Sequence, residues 1–319
     1  MNWERPNFKN ILEAKQLIKD YMPRTPIYSY PYLNELLGTK VYIKHENHTP
    51  TGVFKARGAL FLFSRLEAWQ KDKGVVTAST GNHAQSIAYA GHLFDVPVTI
   101  VMPEKANPSK VKAVKSWGAK IIFYGRIFDE SKEYAEQLAG ERGARFVHPA
   151  NEPDLIAGVG TYALEIFEDV PSVDMIIVPV GGGSGASGCC LVKEAINPNV
   201  QVIGVQAEQA PAACFSWKNK KIVTAKMETK AEGLATQVGF ELTQDILQDF
   251  LADFILVSEK EMQDAILLIM EVVRNMVEEA GAASTAAALK LKDQLKGKTV
   301  VIVLTGGNSS LDRLRTILK

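Results

Sequence analysis

One lysine lies among small and apolar residues in the segment 51–58, which reads TGVFKARG. The segment follows a predicted strand that ends near Glu46 and precedes an apolar helix that we expect to begin around Ala59. Lys55 would then lie near the positive end of a helix dipole, and both this dipole and desolvation disfavour its ammonium form. Only a neutral amine can form a Schiff base, so Lys55 is a candidate nucleophile toward a carbonyl cofactor. Taken alone, the segment favours an ordinary solvated lysine.

A second polar segment, residues 79–83, directly follows the predicted strand 75–78 and precedes a predicted helix. Hydroxyls, an amide and free helix N–H groups meet here, which makes the segment a receptor for a carboxylate. The simpler alternative is that its hydroxyls only cap the helix and that its histidine lies on the surface. The candidate carboxylate-binding residues are Ser79, Thr80, Gly81, Asn82 and His83.

A glycine-rich segment, GGGSGASG at residues 181–188, directly follows the apolar predicted strand 175–180. Without side chains in the way, its backbone amides can surround a phosphate at a helix N-terminus. The same segment contains a G-x-G-x-x-G pattern, and Glu208 lies about where a ribose-binding acid would be sought, so a nicotinamide-binding oxidoreductase stays open. The candidate phosphate-binding residues are Gly181, Gly182, Gly183, Ser184 and Gly185.

Thr305 stands at the carboxyl end of the last predicted strand, residues 300–304. Ligands of open α/β sheets collect at the carboxyl ends of strands, so its hydroxyl can enter the same crevice as the other three segments. There it can donate a hydrogen bond to a neutral ring nitrogen. A simple strand-ending turn is the alternative.

The elements that must position these segments are short strands rich in Val and Ile that alternate with helical periods. This alternation predicts an α/β fold with a mostly parallel sheet. We expect helices at about residues 8–21, from Asn107-Pro108 onward, and at 129–142 with Gly143 as the stop. The predicted strands are residues 41–44, 75–78, 98–102, 120–123, 175–180, 200–205 and 300–304.

The composition excludes several classes of function. Lys plus Arg and Asp plus Glu both number 36, so no net field favours nucleic acid or an anionic membrane, and a small-molecule ligand is the better expectation. The start of the chain does not resemble a signal peptide, and the most apolar helix candidate, residues 265–273, is too short to span a bilayer. Three clustered cysteines fit a reducing compartment, so we expect a cytoplasmic protein.

Taken together and in this order, the four segments resemble the fold type II pyridoxal-phosphate enzymes, specifically the branch of threonine dehydratases and serine racemases. The resemblance covers nearly the whole chain. It implies that Lys55, in the Phe54-Lys55 pair, is the Schiff-base lysine and that residues 181–185 bind the cofactor phosphate. It also implies roles beside the cofactor ring for Asn82 at the ring hydroxyl, Thr305 at the pyridine nitrogen and Glu278 in an E-x-A-G element.

Three positions depart from the pattern of that family. Ser184 stands where the family usually has a fourth glycine, and its backbone N–H can still bind phosphate. Thr80 stands where serine racemases place an acid/base serine, and its bulkier, less mobile side chain makes racemisation doubtful. The divalent-cation site of the family would combine Glu208 with an aspartate that is replaced by Cys214, a poor ligand for a hard cation, so we expect no metal there.

The resemblance implies a two-lobed α/β enzyme with mostly parallel twisted sheets flanked by helices. Residues 51–147 would form a small substrate-side domain, and residues 148–319, completed by 1–50, a large cofactor domain. The implied activity is the removal of water and then ammonia from L-threonine or L-serine, with Lys55 and Thr80 as catalytic residues, in a homodimer. A serine racemase or hydroxyaspartate dehydratase of the same family, the nicotinamide-dependent oxidoreductase and a silent binding protein of this fold remain as alternatives.

Overall fold

The computed structural model describes residues 4–319 as two β-sheets surrounded by helices. The strands are β1 Ile27–Ser29, β2 Lys40–His45, β3 Val75–Ala78, β4 Val98–Met102, β5 Lys120–Phe123, β6 Arg145–Phe146, β7 Met175–Pro179, β8 Gln201–Ala207, β9 Asp253–Val257 and β10 Thr299–Leu304. The helices are α1 Phe8–Ile18, α2 Pro31–Leu37, α3 Lys55–Ser64, α4 Ala68–Lys73, α5 Asn82–Phe94, α6 Pro108–Ser116, α7 Phe128–Arg142, α8 Pro153–Asp169, α9 Ser184–Ile196, α10 Ala212–Asn219, α11 Glu241–Phe250, α12 Glu259–Leu268, α13 Glu279–Lys290, α14 Lys292–Leu295 and α15 Leu311–Ile317. A short 3₁₀ turn covers Glu232–Leu234, and a π-helical turn covers Ile269–Val273.

The larger sheet has six strands in the order β1-β2-β10-β7-β8-β9. Only β1 runs antiparallel to its neighbour, and the other strands are parallel. The last strand of the chain lies between early and central strands, with Val300 opposite both Val41 and Met175. The larger sheet is therefore complete only when β10, near the end of the chain, inserts between β2 and β7.

The smaller sheet has four parallel strands in the order β5-β4-β3-β6. Its strands lie within residues 75–146, inserted between β2 and β7 of the larger sheet. Helix α5 follows β3 and α6 follows β4, as parallel connections require. The carboxyl ends of β3 and β4 therefore lead into α5 and α6, which carry polar residues discussed below.

Each sheet is covered by apolar side chains on both faces. One continuous core joins α1, α3, α8 and α9 to one face of the larger sheet, and a second core packs α12 and α13 on its other face. Two smaller cores cover the faces of the four-stranded sheet. Because both faces are buried, the strands read as continuous apolar runs rather than as alternating patterns.

The expected α/β class with mostly parallel sheets is confirmed, and three predicted strands, 75–78, 98–102 and 120–123, have the observed bounds. Asn107 caps α6 with Pro108 at its first position, and Gly143 ends α7 in the left-handed conformation. Two boundaries were wrong: α1 ends at Ile18 rather than near Tyr21, and the apolar helix predicted from Ala59 already begins at Lys55. Sequence analysis missed β1, β6 and β9. The division into domains at 51–147 stays a prediction.

A buried polar network joins the first turn of α3 to the larger sheet and to α8. Arg57 donates to both carboxylate oxygens of Glu46, at 2.8 and 2.9 Å, and to both of Glu165, at 2.7 and 2.8 Å. Lys44 donates to Glu165 as well, at 2.5 Å, and to the carbonyl of Thr25 at 2.8 Å. Two positive and two negative side chains thus balance each other in a place where an unpaired charge would be costly.

Replacing Arg57 with methionine should lower the free energy of unfolding by about 3–5 kcal/mol, because two buried carboxylates would then share the single ammonium of Lys44. Urea denaturation followed by circular dichroism measures the change. Arg315→Met is the matched control, since Arg315 pairs with Asp312 on the surface and should cost at most about 1 kcal/mol. Equal losses in the two variants would contradict the importance of the network.

Candidate active site

The four segments singled out from the sequence meet around one cavity. Its walls come from the start of α3, the start of α5, the glycine-rich turn after β7 and the end of β10. Three of these segments follow the carboxyl ends of strands β3, β7 and β10, where ligands of open parallel sheets bind. Lining residues include Phe54, Lys55, Asn82, Gly181, Gly182, Gly183, Ser184, Gly185, Glu278 and Thr305.

Lys55 is the first residue of α3, and its side chain lies over the ring of Phe54, with 5.2 Å between the amine and the ring centroid. Desolvation lowers the pKa of this amine to about 8, although the nearby carboxylate of Glu278 opposes the shift. A substantial fraction of the amine is therefore neutral near pH 8. Of the two interpretations of Lys55, the nucleophilic one fits this environment better than a solvated surface lysine.

Main-chain hydrogen bonds fix the segment before Lys55 to the turn after β10. The N–H of Phe54 donates to the carbonyl of Thr305 at 3.0 Å, and the N–H of Gly307 donates to the carbonyl of Gly52 at 2.9 Å. The Thr305 side chain is 4% exposed and lines the same cavity as Lys55. These hydrogen bonds therefore hold the backbone beside Lys55 at a set distance from the backbone of Thr305.

Residues 79–83 form the turn between β3 and α5. The hydroxyl of Ser79 accepts hydrogen bonds from the N–H groups of Gly81 and Ala84, at 3.1 and 3.2 Å. The N–H groups of Asn82 and His83 belong to the first turn of α5 and have no intrahelical carbonyl to bond. Capping by Ser79 and anion binding at the helix start are thus compatible, and Thr80 between them is partly exposed.

His83 is a buried histidine rather than a surface one, with 6% of its area exposed. Its Nε2 lies 3.1 Å from the hydroxyl of Thr77. That hydroxyl donates its single hydrogen to the carbonyl of Val147, so it accepts a hydrogen bond from the N–H of the imidazole. Burial, with the nearby charge of Lys55, holds the pKa of His83 well below its ordinary value. The ring is therefore neutral, and what this residue can offer a carboxylate is its backbone N–H.

The amide of Asn82 is held on both sides. Its Nδ2 donates to Glu278 at 2.5 Å, and its Oδ1 accepts from Asn308 at 2.9 Å. Burial raises the pKa of Glu278, against the influence of Lys110 and the Asn82 hydrogen bond. Two residues far from Asn82 in the chain thus fix the plane of its amide at the cavity wall.

Close approach explains the glycines of the turn after β7. A Cβ atom at Gly181 would lie 2.1 Å from the carbonyl oxygen of Gly233, and Gly183 has a φ of +96°. At Gly185 a Cβ would come within 3.2 Å of the Tyr162 hydroxyl, which donates to the Gly185 carbonyl at 2.9 Å. The turn leads into α9, which begins at Ser184. Its backbone N–H groups are therefore open to an anion with no side chain in between.

Sequence analysis missed the contributions of Gly233 and Tyr162 to this site. Gly233 lines the cavity, and Tyr162 donates a hydrogen bond to the glycine-rich turn. Gly233 lies in a short segment without periodicity, and Tyr162 is one of many apolar positions along α8. Only their places in the folded chain distinguish them, so the sequence held no signal for either.

The position considered for a metal holds a salt bridge. Lys290 lies 3.5 Å from Glu208 and 3.3 Å from Glu261 and donates to the carbonyl of Leu256. Burial raises the pKa of Cys214, which keeps it a thiol. Within residues 4–319 no group of three or more His, Cys, Asp or Glu side chains could hold a metal ion. The expectation of no cation at this place stays a prediction.

Comparison with known proteins identifies several similar enzymes. The L-threonine ammonia-lyase of Thermotoga maritima is 40% identical over 311 residues, which are 97% of this chain and 77% of that protein. The L-threo-3-hydroxyaspartate ammonia-lyase of Saccharomyces cerevisiae is 37% identical over 314 residues, 98% of this chain and 96% of that protein. Both are similar over almost the whole of this chain.

Solved structures give the same result for the fold. Maize serine racemase superposes with a TM-score of 0.94 at 34% identity, covering 99% of this chain and 97% of that one. The processed form of threonine deaminase isoform 2 from Solanum lycopersicum gives a TM-score of 0.93 at 29% identity, with coverage of 99% and 90%. The fold is therefore that of the fold type II enzymes, as expected. A family model described as pyridoxal-phosphate dependent enzyme matches residues 18–306, and the chain belongs to that family.

Proposed function

We propose that this protein removes water and then ammonia from L-threonine or L-serine, giving 2-oxobutanoate or pyruvate. The observation that carries the proposal is the desolvated amine of Lys55, with its pKa lowered to about 8, at the meeting point of an anion-binding turn, a carboxylate-binding turn and the hydroxyl of Thr305. Relatives that act on threonine and on 3-hydroxyaspartate support a β-hydroxy amino acid as substrate.

The residues of the cavity fit pyridoxal phosphate. Backbone N–H groups of residues 181–185 would bind the phosphate, because this turn leads into the N-terminus of α9, where the first N–H groups have no intrahelical partner. Lys55 would hold the cofactor through its amine, beside the ring of Phe54. Asn82 and Glu278 would adjoin the ring, and Thr305 would offer a hydroxyl to its nitrogen.

The bound cofactor would supply an electron sink for the bond that breaks at Cα. Lys55 would take the Cα proton, since its lowered pKa leaves the amine able to accept one near neutral pH. Because Thr305 is a hydroxyl and not a carboxylate, it does not favour a protonated ring nitrogen. This arrangement suits prompt loss of the β-hydroxyl rather than a long-lived carbanion.

The substrate carboxylate would be bound at the start of α5. Free N–H groups of Asn82 and His83 and the hydroxyls of Ser79 and Thr80 lie in this turn, and Gly81 leaves the backbone accessible. With the carboxylate fixed, the Cα–H bond can be held facing Lys55. Such positioning contributes several kcal/mol to catalysis, on the order of what well-oriented groups supply.

Serine racemase activity is the second candidate, favoured by the similarity to maize serine racemase. Racemisation needs an acid on the face opposite Lys55, and Thr80 is the residue available there by family resemblance. A threonine hydroxyl rotates less freely than that of serine. This restriction supports elimination as the main reaction.

Lys55→Ala should abolish turnover of L-threonine and L-serine, with a loss of at least about 10³-fold, because the acceptor for the Cα proton is gone. Release of 2-oxobutanoate is measured together with the visible spectrum of the purified protein. The band near about 410–420 nm, typical of a cofactor bound to lysine, should also be missing. Undiminished turnover by this variant would refute the assignment.

The cofactor-free protein gives an independent measurement of the same amine. Its reaction with an amine-acylating reagent should increase with pH around about 8 rather than around 10.5, since deprotonation creates the nucleophile. Mass spectrometry locates the modified residue, and Lys55→Ala provides the background. A midpoint above about 10 would show that the amine is solvated, as an ordinary lysine is.

Asn82→Ala and Thr80→Ala should each raise KM for L-threonine and lower kcat, together about 10–100-fold in kcat/KM. Thr80→Ala removes a hydroxyl from the turn proposed to bind the carboxylate, and Asn82→Ala removes the amide that Glu278 and Asn308 hold at the cavity wall. Thr316→Ala, on the exposed side of α15, serves as the control and should leave both constants unchanged. If both site variants keep the parental constants, another segment must bind the carboxylate.

We also propose that the protein is a cytoplasmic homodimer. Tyr28 and Tyr32, in and beside the edge strand β1, are 55% and 57% exposed, which suits a contact with a second copy. Three free, buried thiols suit a reducing compartment. No helix within residues 4–319 is long and apolar enough to cross a membrane. Light scattering of the purified protein tests the dimer, and a monomer would refute it.

A further inference from the structure

A second cavity of about 300 Å³ adjoins the candidate active site. Glu278 and Ala280 line both cavities, so the two share a wall. Its lining residues other than Ala280 are polar or charged, and the charged ones include Lys110, Glu232 and Arg313. Under the proposed function, the side chain of a substrate held at Lys55 and the α5 turn would extend into this cavity.

Lys110 projects from α6 toward the carboxylate-binding turn. A Cβ atom at Gly81 would lie 2.7 Å from Cδ of Lys110 and 3.0 Å from its Nζ. The side chain of Lys110 is 7% exposed, and its charge acts on the buried carboxyl of Glu278. A buried ammonium thus stands directly over the turn proposed to bind the substrate.

Glu232 neutralises this ammonium from the other side of the cavity. Its carboxylate pairs with the Nζ of Lys110, while its own side chain remains 45% exposed. Glu232 precedes Gly233, whose carbonyl contacts the glycine-rich turn. The pair therefore connects α6, which packs on the smaller sheet, with a segment that touches the anion-binding turn.

We infer that Glu232 makes the site selective for uncharged substrate side chains by occupying Lys110 and repelling a second carboxylate. The inference rests on the proposed function. In L-threonine the β-carbon carries a methyl group, whereas in 3-hydroxyaspartate a carboxylate takes its place. An unpaired Lys110 would attract that carboxylate, and the negative charge of Glu232 both removes this attraction and opposes entry.

Glu232→Gln keeps the size of the side chain but removes its charge. In the holoenzyme, the ratio of kcat/KM for L-threo-3-hydroxyaspartate to that for L-threonine should rise roughly tenfold or more, since like charges at close quarters are strongly unfavourable. The products, oxaloacetate and 2-oxobutanoate, are assayed separately. Glu194→Gln is the matched control, because Glu194 is 43% exposed and pairs with a Lys193 side chain that is 11% exposed, and it should leave the ratio unchanged.

Two further variants test whether the change acts through Lys110. Adding Lys110→Gln to Glu232→Gln should abolish the rise in the kcat/KM ratio. Adding Lys110→Arg to Glu232→Gln should preserve part of that rise. An unchanged ratio in Glu232→Gln overturns the inference. The inference is also overturned if Lys110→Gln alone lowers kcat/KM equally for both substrates, because Lys110 would then bind the α-carboxylate common to them.

Calorimetry separates this inference from the proposed function. The affinity for succinate divided by the affinity for butyrate should be higher in Glu232→Gln than in the parent protein, whatever reaction the enzyme catalyses. If the parent protein forms no 2-oxobutanoate, the proposed function fails while the succinate-to-butyrate comparison still tests Glu232. Equal ratios of succinate affinity to butyrate affinity in the parent protein and in Glu232→Gln would overturn the inference even if the protein is an active lyase.

Discussion

The buried guanidinium of Arg57 makes the contacts on which the position of Lys55 depends. It lies two residues after Lys55 and bonds to carboxylates that follow β2 and belong to α8. Its four bonds to carboxylate oxygens define both the distance and the rotation of the first turn of α3 relative to the larger sheet. A helix positioned only by apolar packing could slide along its neighbours, whereas this one is bound through a planar, multiply bonded group.

The remaining parts of the site follow from the parallel arrangement of strands. Most of the turns that line the cavity come after a strand or begin a helix, so their N–H groups and side chains meet in one crevice. Gly233 is an exception, because it lies in the 3₁₀ turn within the long connection between α10 and α11. The residues at 54, 82, 183 and 305 are spread over most of the sequence, yet each lies next to the end of a regular element.

Sequence reasoning worked where local chemistry and periodicity agree. The apolar runs of β3, β4 and β5 gave their bounds, whereas the anion site expected at the glycine-rich turn stays a prediction. It failed for β6, which has two residues, and for β1, which has three, since neither is long enough to show a period. Contacts between residues far apart in the sequence also could not be predicted. Nothing near Glu232 in the sequence indicates Lys110, and nothing near Asn82 indicates that its amide is held by Glu278 and Asn308.

Two hydrogen bonds between the Lys55 segment and the turn after β10 join main-chain atoms only, and a third runs from the side-chain amide of Asn308 to the carbonyl of Thr51. Every amino acid carries the same carbonyl, and every one except proline carries the same N–H. The spacing between the backbones of Phe54 and Thr305 therefore does not depend on the side chain at a position such as Val53, which can change during evolution without moving that backbone. A lineage can in this way vary the cavity walls while the backbone beside Lys55 stays in place.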